Sequence, residues 1–221
     1  MYKIIKETKL NNSFKVQSVI GQYDLQEKDK ITEEFIYDFE IPNEFKLGVI
    51  VGNSGTGKTT LAKELFQFSN IRYDNTVSVI DSIKASTEDI SRMFTLVGFA
   101  SPRSWLKPYN VLSNGEKMRV DLARELLSEA KQVCFDEFTS VVDRNVAKTI
   151  CHVINKILRE SKKKIILISC HFDILDYLDT DWIINTNDNT LFLGKKKDWT
   201  GNAPYTMQNQ MNGDCLASIT I

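Results

Sequence analysis

The chain has 221 residues, 42% of them hydrophobic, a formal charge of −1 and an isoelectric point near 6.2. That length supports a full core in one domain, and the near-neutral charge excludes a global basic field for nucleic acid. The longest apolar stretch, Ile165-Ile166-Leu167-Ile168, is too short to span a bilayer, and Lys3, Lys6, Glu7 and Lys9 stand where a signal peptide needs its apolar segment. The expectation is a cytoplasmic chain without a transmembrane segment, which reaches a membrane only through a partner. Cys134, Cys151, Cys170 and Cys215 form no CxxC pair, so neither a disulfide framework nor a zinc site is indicated. Cys134 and Cys170 are expected in buried strands as small hydrophobes.

Apolar stretches alternate between strand-like and helix-like periods, which predicts an α/β layered fold. Up to about Glu40 the chain reads as extended segments, Phe14 to Ile20 and Glu34 to Ile41, ending in the turn Ile41-Pro42-Asn43. Lys46 to Val51 has the length and β-branching of a buried strand, and Thr59 to Phe68 is a good helix former. Between them lies Gly52-Asn53-Ser54-Gly55-Thr56-Gly57-Lys58-Thr59, a full match to the phosphate-binding P-loop. Val77-Ser78-Val79-Ile80 reads as a strand ending in Asp81. Ser86, with Asp89 three residues on, opens a helix through Met93, Phe94 and Val97.

Ala100 to Val111, carrying Pro102 and Pro108, reads as a loop, and a further helix runs from Gly115 through Leu127. Val133 to Phe135 is a strand, with Gln132 at or just before its start. Val146, Ile150, Val153, Ile154 and Ile157 mark the inner face of a long helix. Lys164 to Cys170 is another buried strand, and Trp182–Ile184 with Thr190–Leu193 flank the hairpin signal Asn187-Asp188-Asn189. The expected organisation is one domain over 1–200, its helical part about 82–130, with a polar tail over 201–221.

The chemistry follows from residue types and order. Glycines let successive N–H groups turn inward around phosphate oxygens, and the next helix adds the positive end of its dipole. Lys58 reaches the β- and γ-phosphates, and the Thr59 hydroxyl ligates Mg²⁺. Asp136 and Glu137 end the apolar strand from Val133. Asp136 suits the metal's coordination shell, and Glu137 can polarise an attacking water. His171 closes the strand Ile165–Cys170, so a parallel sheet brings it to the same phosphate edge. His152, on a helix, has no such context and reads as structural.

With Leu112-Ser113-Asn114-Gly115-Glu116 added, the chain resembles the ABC-type ATPases, a resemblance covering about residues 15 to 195. The P-loop matches Gly52–Thr59 with Thr60 beside it, the signature Leu112–Glu116, the acid strand Val133–Glu137, the D-loop Ser140–Asp143 and the switch histidine His171. The resemblance implies a P-loop NTPase fold of ABC type: a mixed sheet core, an N-terminal antiparallel β segment and a reduced helical subdomain. It also implies ATP and Mg²⁺ as ligands and hydrolysis to ADP and phosphate in a head-to-tail homodimer with ATP at the interface. Each P-loop would face the other chain's signature, where Ser113, Gly115 and Glu116, with the D-loop's Asp143, complete the site. An upstream aromatic stacks on adenine in this family; Tyr23 stands at about the right place, and a packed strand-end tyrosine accounts for it nearly as well.

Transporter subunits carry a strand-end glutamine between P-loop and signature. No glutamine stands between Asn70 and Glu116 here, and Asp81 is the substitute metal ligand of shorter reach. The short spacer and the stretch Val97–Tyr109, with Asp136–Arg144, look like a standalone soluble subgroup often fused to an acetyltransferase-like domain. Such a domain would here be a separate partner. A membrane-transporter subunit and a DNA-repair ATPase are the alternatives; Lys107, Lys117, Arg119 and Arg124 carry the weak case for nucleic acid.

Overall fold

The computed structural model describes residues 2–26, 29–69 and 71–195 and divides into two compact units, Met1–Glu40 and Ile41–Ile221. In the first unit β1 (Tyr2–Lys9) and β2 (Lys30–Tyr37) pair antiparallel, from Tyr2 opposite Tyr37 to Lys9 opposite Lys30. Helix α1 (Phe14–Gln22) lies between them in sequence. The expected N-terminal antiparallel β segment is therefore present, but Phe14 to Ile20 is helical rather than extended. Ser13 explains this: its side chain accepts from the Val16 N–H at 3.4 Å and caps the first turn. Val16, Val19 and Ile20 then fall at helical spacing, which outweighs their β-branching. The second strand begins at Lys30, four residues before the expected Glu34, and ends at Tyr37.

The second unit is built on a five-stranded sheet in the order β4-β5-β3-β6-β7. Its strands are β3 (Leu47–Val51), β4 (Gln132–Phe135), β5 (Lys164–Ser169), β6 (Trp182–Asn185) and β7 (Thr190–Leu193). β3 runs parallel to both β5 and β6, β4 runs parallel to β5, and only β7 is antiparallel. All five residues of β3 are buried, as a central strand covered on both faces requires. Helices α2 (Lys58–Leu65), α3 (Thr87–Leu96), α4 (Pro102–Trp105), α5 (Asn114–Leu127) and α6 (Arg144–Glu160) complete the unit. In α6 the buried residues Ala147, Ile150, Cys151, Ile154 and Leu158 recur every three or four positions and make one apolar stripe. α3 packs against α5 within the expected helical part.

Gly48 shows how tightly β3 and β6 are matched. A Cβ built on it would lie 1.9 Å from Trp182 Cζ2, and the Trp182 ring is held by Phe66 stacked at 5.9 Å and Phe45 edge-on at 5.3 Å. Gly48→Ala is therefore expected to destabilise the unit by about 3 kcal/mol through overpacking, read as a lower denaturant midpoint at unchanged slope.

Several sequence expectations are corrected locally. No strand forms over Val77–Ile80, which fold as turns. The Val79 N–H donates to the Lys107 carbonyl at 3.0 Å and the Ile80 N–H to the Trp105 carbonyl at 3.3 Å, so these groups go to the 105–107 segment instead of a sheet. Ser82 Oγ donates to the Val79 carbonyl at 2.7 Å and Ser78 Oγ to Asp81 Oδ2 at 2.6 Å. Ala100–Val111 is not all loop: Pro102 starts the short α4, and Tyr109–Val111 forms a 3-10 turn. Gln132 lies inside β4. Cys134 is buried, as is Cys151, and burial pushes both thiols up to about 12. Cys170, by contrast, is exposed just past the end of β5. The hairpin forms as expected, with Asn189 taking the left-handed conformation at φ 54° before β7. The tail over 201–221 and Cys215 lie outside the described residues.

Candidate functional site

Parallel strands bring their C-terminal ends to one edge, so β3, β4, β5 and β6 deliver four segments to one place. These are the P-loop after Val51, Asp136-Glu137 after Phe135, Cys170-His171 after Ser169, and Thr186-Asn187 after Asn185. The P-loop passes into α2 at Gly57, which holds the left-handed conformation at φ 82° and forms the N-cap of that helix. No side chain caps that helix, so its first N–H groups are oriented as an anion cradle requires. A Cβ on Gly55 would meet nothing within 4 Å, so the loop is open on that side, whereas one on Gly52 would lie 2.1 Å from Thr186 Oγ1.

Lys58 Nζ donates to the Asn53 carbonyl at 2.6 Å, folding the side chain back along the loop. Burial draws its amine below the usual lysine range, and Cys170, Glu137 and Asp136 oppose that shift, which groups all four residues electrostatically. Thr59 Oγ1 donates to Asp136 Oδ1 at 3.1 Å. A hydroxyl and a carboxylate held this close are hard oxygen donors of the kind a Mg²⁺ shell needs. The Glu137 N–H donates to the same carboxylate oxygen at 3.0 Å. Glu137 (φ 53°) and Thr139 (φ 67°) both hold left-handed backbone, a strained bend immediately after β4.

That bend is stitched to β5. The Phe138 N–H donates to the Ile168 carbonyl at 2.8 Å, Ser169 Oγ to the Phe138 carbonyl at 2.9 Å, and the His171 N–H to Ser169 Oγ at 3.0 Å. The Thr139 hydroxyl and His171 Nδ1 share a hydrogen bond at 3.3 Å. Burial, and then the Arg144 charge, lower the His171 pKa below its ordinary value, while Asp173 and Glu137 act against them. The imidazole is therefore neutral near pH 7.

The signature forms a second cluster with its own partners. Ser113 is the N-cap of α5, accepting from the Glu116 N–H at 3.3 Å, and Glu116 accepts from the Ser113 N–H at 3.0 Å. This capping box gives Glu116 a structural role and lowers its carboxyl pKa. The Ser113 hydroxyl accepts in that bond and also supports the Glu116 carboxylate, so the serine is held on both sides by its capping partner. A Cβ on Gly115 would sit 3.2 Å from the Val141 carbonyl, so the signature leans on the D-loop. Asp143 caps α6, accepting from the Asn145 N–H at 2.8 Å.

Two expected site residues have other local settings. Asp81 sits in a turn with its carboxylate on Ser78. Tyr23 belongs to the Met1–Glu40 unit, where it caps the end of α1 and is 65% exposed. Sequence reading missed the residues that hold the P-loop from behind. Thr186 Oγ1 lies 2.6 Å from Thr56 Oγ1, and Asn187 Oδ1 accepts from the Asn53 N–H at 2.8 Å. Their only sequence signal is position: the first polar residues after a buried strand, at the same edge as His171. Thr186→Val keeps shape but removes the hydroxyl, so the unit should lose about 1 kcal/mol of stability, read as a lower denaturant midpoint at unchanged slope.

No protein-family model matches the chain. It is 27% identical over 122 residues to the lipoprotein-releasing system ATP-binding protein LolD of Rickettsia conorii, covering 54% of this chain and 52% of that protein. It is 24% identical over 185 residues to the energy-coupling factor transporter ATP-binding protein EcfA1 of Staphylococcus aureus, covering 65% and 68%. The chain thus spans about half the length of LolD and two thirds of EcfA1. Among solved structures, the dimer of MJ0796, a bacterial ABC transporter cassette, matches with a TM-score of 0.52 at 16% identity, covering 69% of this chain and 87% of that one. A post-hydrolysis state of MJ0796 bound to ADP and Pi matches with a TM-score of 0.56 at 15% identity, covering 76% and 94%. The fold is that of an ABC-type ATP-binding cassette.

Proposed function

We propose that this chain binds MgATP, closes head to tail with a second copy over two nucleotides, and hydrolyses ATP to ADP and phosphate. One observation carries the reading: Lys58, the Thr59–Asp136 pair, Glu137 and His171 share one sheet edge, while Ser113 and Gly115 belong to a separate cluster. A site of that kind is half-built in one chain, and a second copy supplies the missing half. Exposed apolar residues lie beside the signature and in the D-loop, Val111 at 59% and Val141 at 46%, as an unfilled contact face would have them.

In this reading the backbone of Gly52, Asn53, Ser54, Gly55, Thr56, Gly57, Lys58, Thr59 and Thr60 wraps the phosphates, and Lys58 neutralises the β- and γ-oxygens. Thr59 and Asp136 hold Mg²⁺, with Asp81 as a further ligand only after releasing Ser78. Bound there, the ion would neutralise phosphate charge. Glu137 takes a proton from water in line with the γ-phosphate. With the Thr139 hydroxyl donating to Nδ1, His171 carries its proton on Nε2 and donates to a γ-phosphate oxygen. Ser113, Gly115 and Asp143 act across the interface, and Glu116 holds Ser113 in place.

The output is closing and opening of the dimer in the cytoplasm, acting on a protein partner, acetyltransferase-like if the soluble-subgroup resemblance holds. A second reading, the ATP-binding subunit of a membrane transporter, is favoured by LolD and EcfA1, whose names place them in such systems. Among the described residues no helix is long and apolar enough to cross a membrane. Phosphate release from MgATP by the full chain, compared with Ser113→Arg, tests the proposal. The variant should bind nucleotide normally yet hydrolyse it at the blank rate; turnover equal to the unsubstituted chain would overturn the trans site.

A further inference from the structure

Arg144 stands directly after the D-loop, as the first residue of α6 behind its N-cap Asp143. Its guanidinium reaches back to the histidine loop: Nε donates to Asp173 Oδ2 at 3.0 Å and Nη2 to Asp173 Oδ1, a two-point pair that fixes orientation as well as distance. Asp173 lies in the first turn of the 3-10 segment Phe172–Asp176, whose N-cap is His171. The pair therefore spans the two segments that the Thr139–His171 hydrogen bond joins at the site. Arg144 and Asp173 keep 37% and 50% of their side-chain surface exposed, and ion pairs so exposed contribute little to stability. The guanidinium nonetheless leaves Nη1 buried without a hydrogen-bond partner, an arrangement that general stability would not select.

We propose that Arg144 is a positioning residue: its pair with Asp173 locks the D-loop to the histidine loop, so that His171 is aligned only while the D-loop holds its place. The inference rests on the ATPase reading above. D-loop movement at the contact with a second copy would then reach His171 through one ion pair and one hydrogen bond. Burial is the largest influence that lowers the His171 pKa, and the same pair acts on top of it. Arg144 of α6 acts to lower the His171 pKa; Asp173 of its own turn and Glu137 beyond β4 act to raise it.

The test is steady-state ATP hydrolysis by the full chain, unsubstituted and as Arg144→Ala, Asp173→Asn, the double variant and Arg144→Lys. Each single variant should lower kcat by about tenfold with KM for ATP within about twofold, and the double should lose no more than the singles, because one interaction is removed in each case. Arg144→Lys should recover part of the rate. The acid limb of the pH profile should shift upward in Arg144→Ala, where Asp173 acts unopposed, and downward in Asp173→Asn; a merely structural defect moves both the same way. Asp173→Asn keeps shape, so it decides the matter even if Arg144→Ala fails to fold. Unchanged kcat in Asp173→Asn, or losses that multiply in the double variant, would overturn the proposal while leaving the ATPase reading intact. An unsubstituted chain that releases no phosphate would remove both.

Discussion

Glu137→Gln is expected to slow ATP hydrolysis by about 10²–10³-fold while leaving nucleotide binding in place, as loss of a general base does. The structure gives this carboxylate an unusual mounting. Its residue holds left-handed backbone, its N–H is fixed to Asp136 at 3.0 Å, and its carbonyl accepts from both the Ser140 N–H and the Ser140 hydroxyl, at 3.1 and 2.8 Å. A non-glycine residue bears that strain where the surrounding bonds over-determine it. Glutamine keeps the shape and those bonds and loses only the capacity to take a proton. The variant should therefore accumulate the nucleotide-bound dimer, read by size-exclusion chromatography with light scattering in saturating MgATP. A Glu137→Gln chain that turns over at the unsubstituted rate would assign the base elsewhere.

Lys58→Ala is expected to weaken ATP binding by about 10²–10³-fold, the cost of leaving buried phosphate charge without its partner. The Lys58 amine is drawn down by burial, yet three neighbours, Cys170, Glu137 and Asp136, favour the charged form. Its present bond to the Asn53 carbonyl at 2.6 Å is one a bound phosphate would compete for. Removing the amine touches no core residue, so the unfolding midpoint without nucleotide should stay nearly constant. The rise in midpoint that ATP gives the unsubstituted chain should vanish. Isothermal titration calorimetry, with the Glu137→Gln chain, expected to turn over slowly, as reference, measures the difference directly.

The elements that build the site were legible because their signals are dense and local. The apolar run Lys46–Val51, the glycines of the P-loop, the capping pair Ser113–Glu116 and the strand-then-acid pattern Val133–Glu137 each combine period, cap and position. The misreadings came where those signals compete. Ser13 turned the β-branched stretch Phe14–Ile20 into α1, and the Val79 and Ile80 N–H groups are taken by the Lys107 and Trp105 carbonyls, contacts that no hydrophobic pattern reveals. Cys170 counted as buried by its neighbours, but it falls one residue past β5, where the sheet edge opens. Thr186, Asn187 and the Arg144–Asp173 pair act through contacts between residues distant in the chain, and such contacts leave no periodicity to read.

The most direct test of the central claim, that two copies share each active site, is the ATP hydrolysis rate per subunit measured against protein concentration, with Glu137→Gln as the blank. A composite site predicts a per-subunit rate that rises with concentration and then saturates as dimers fill. A rate per subunit that is constant down to concentrations where light scattering finds only monomer would contradict it and place the whole reaction in a single chain.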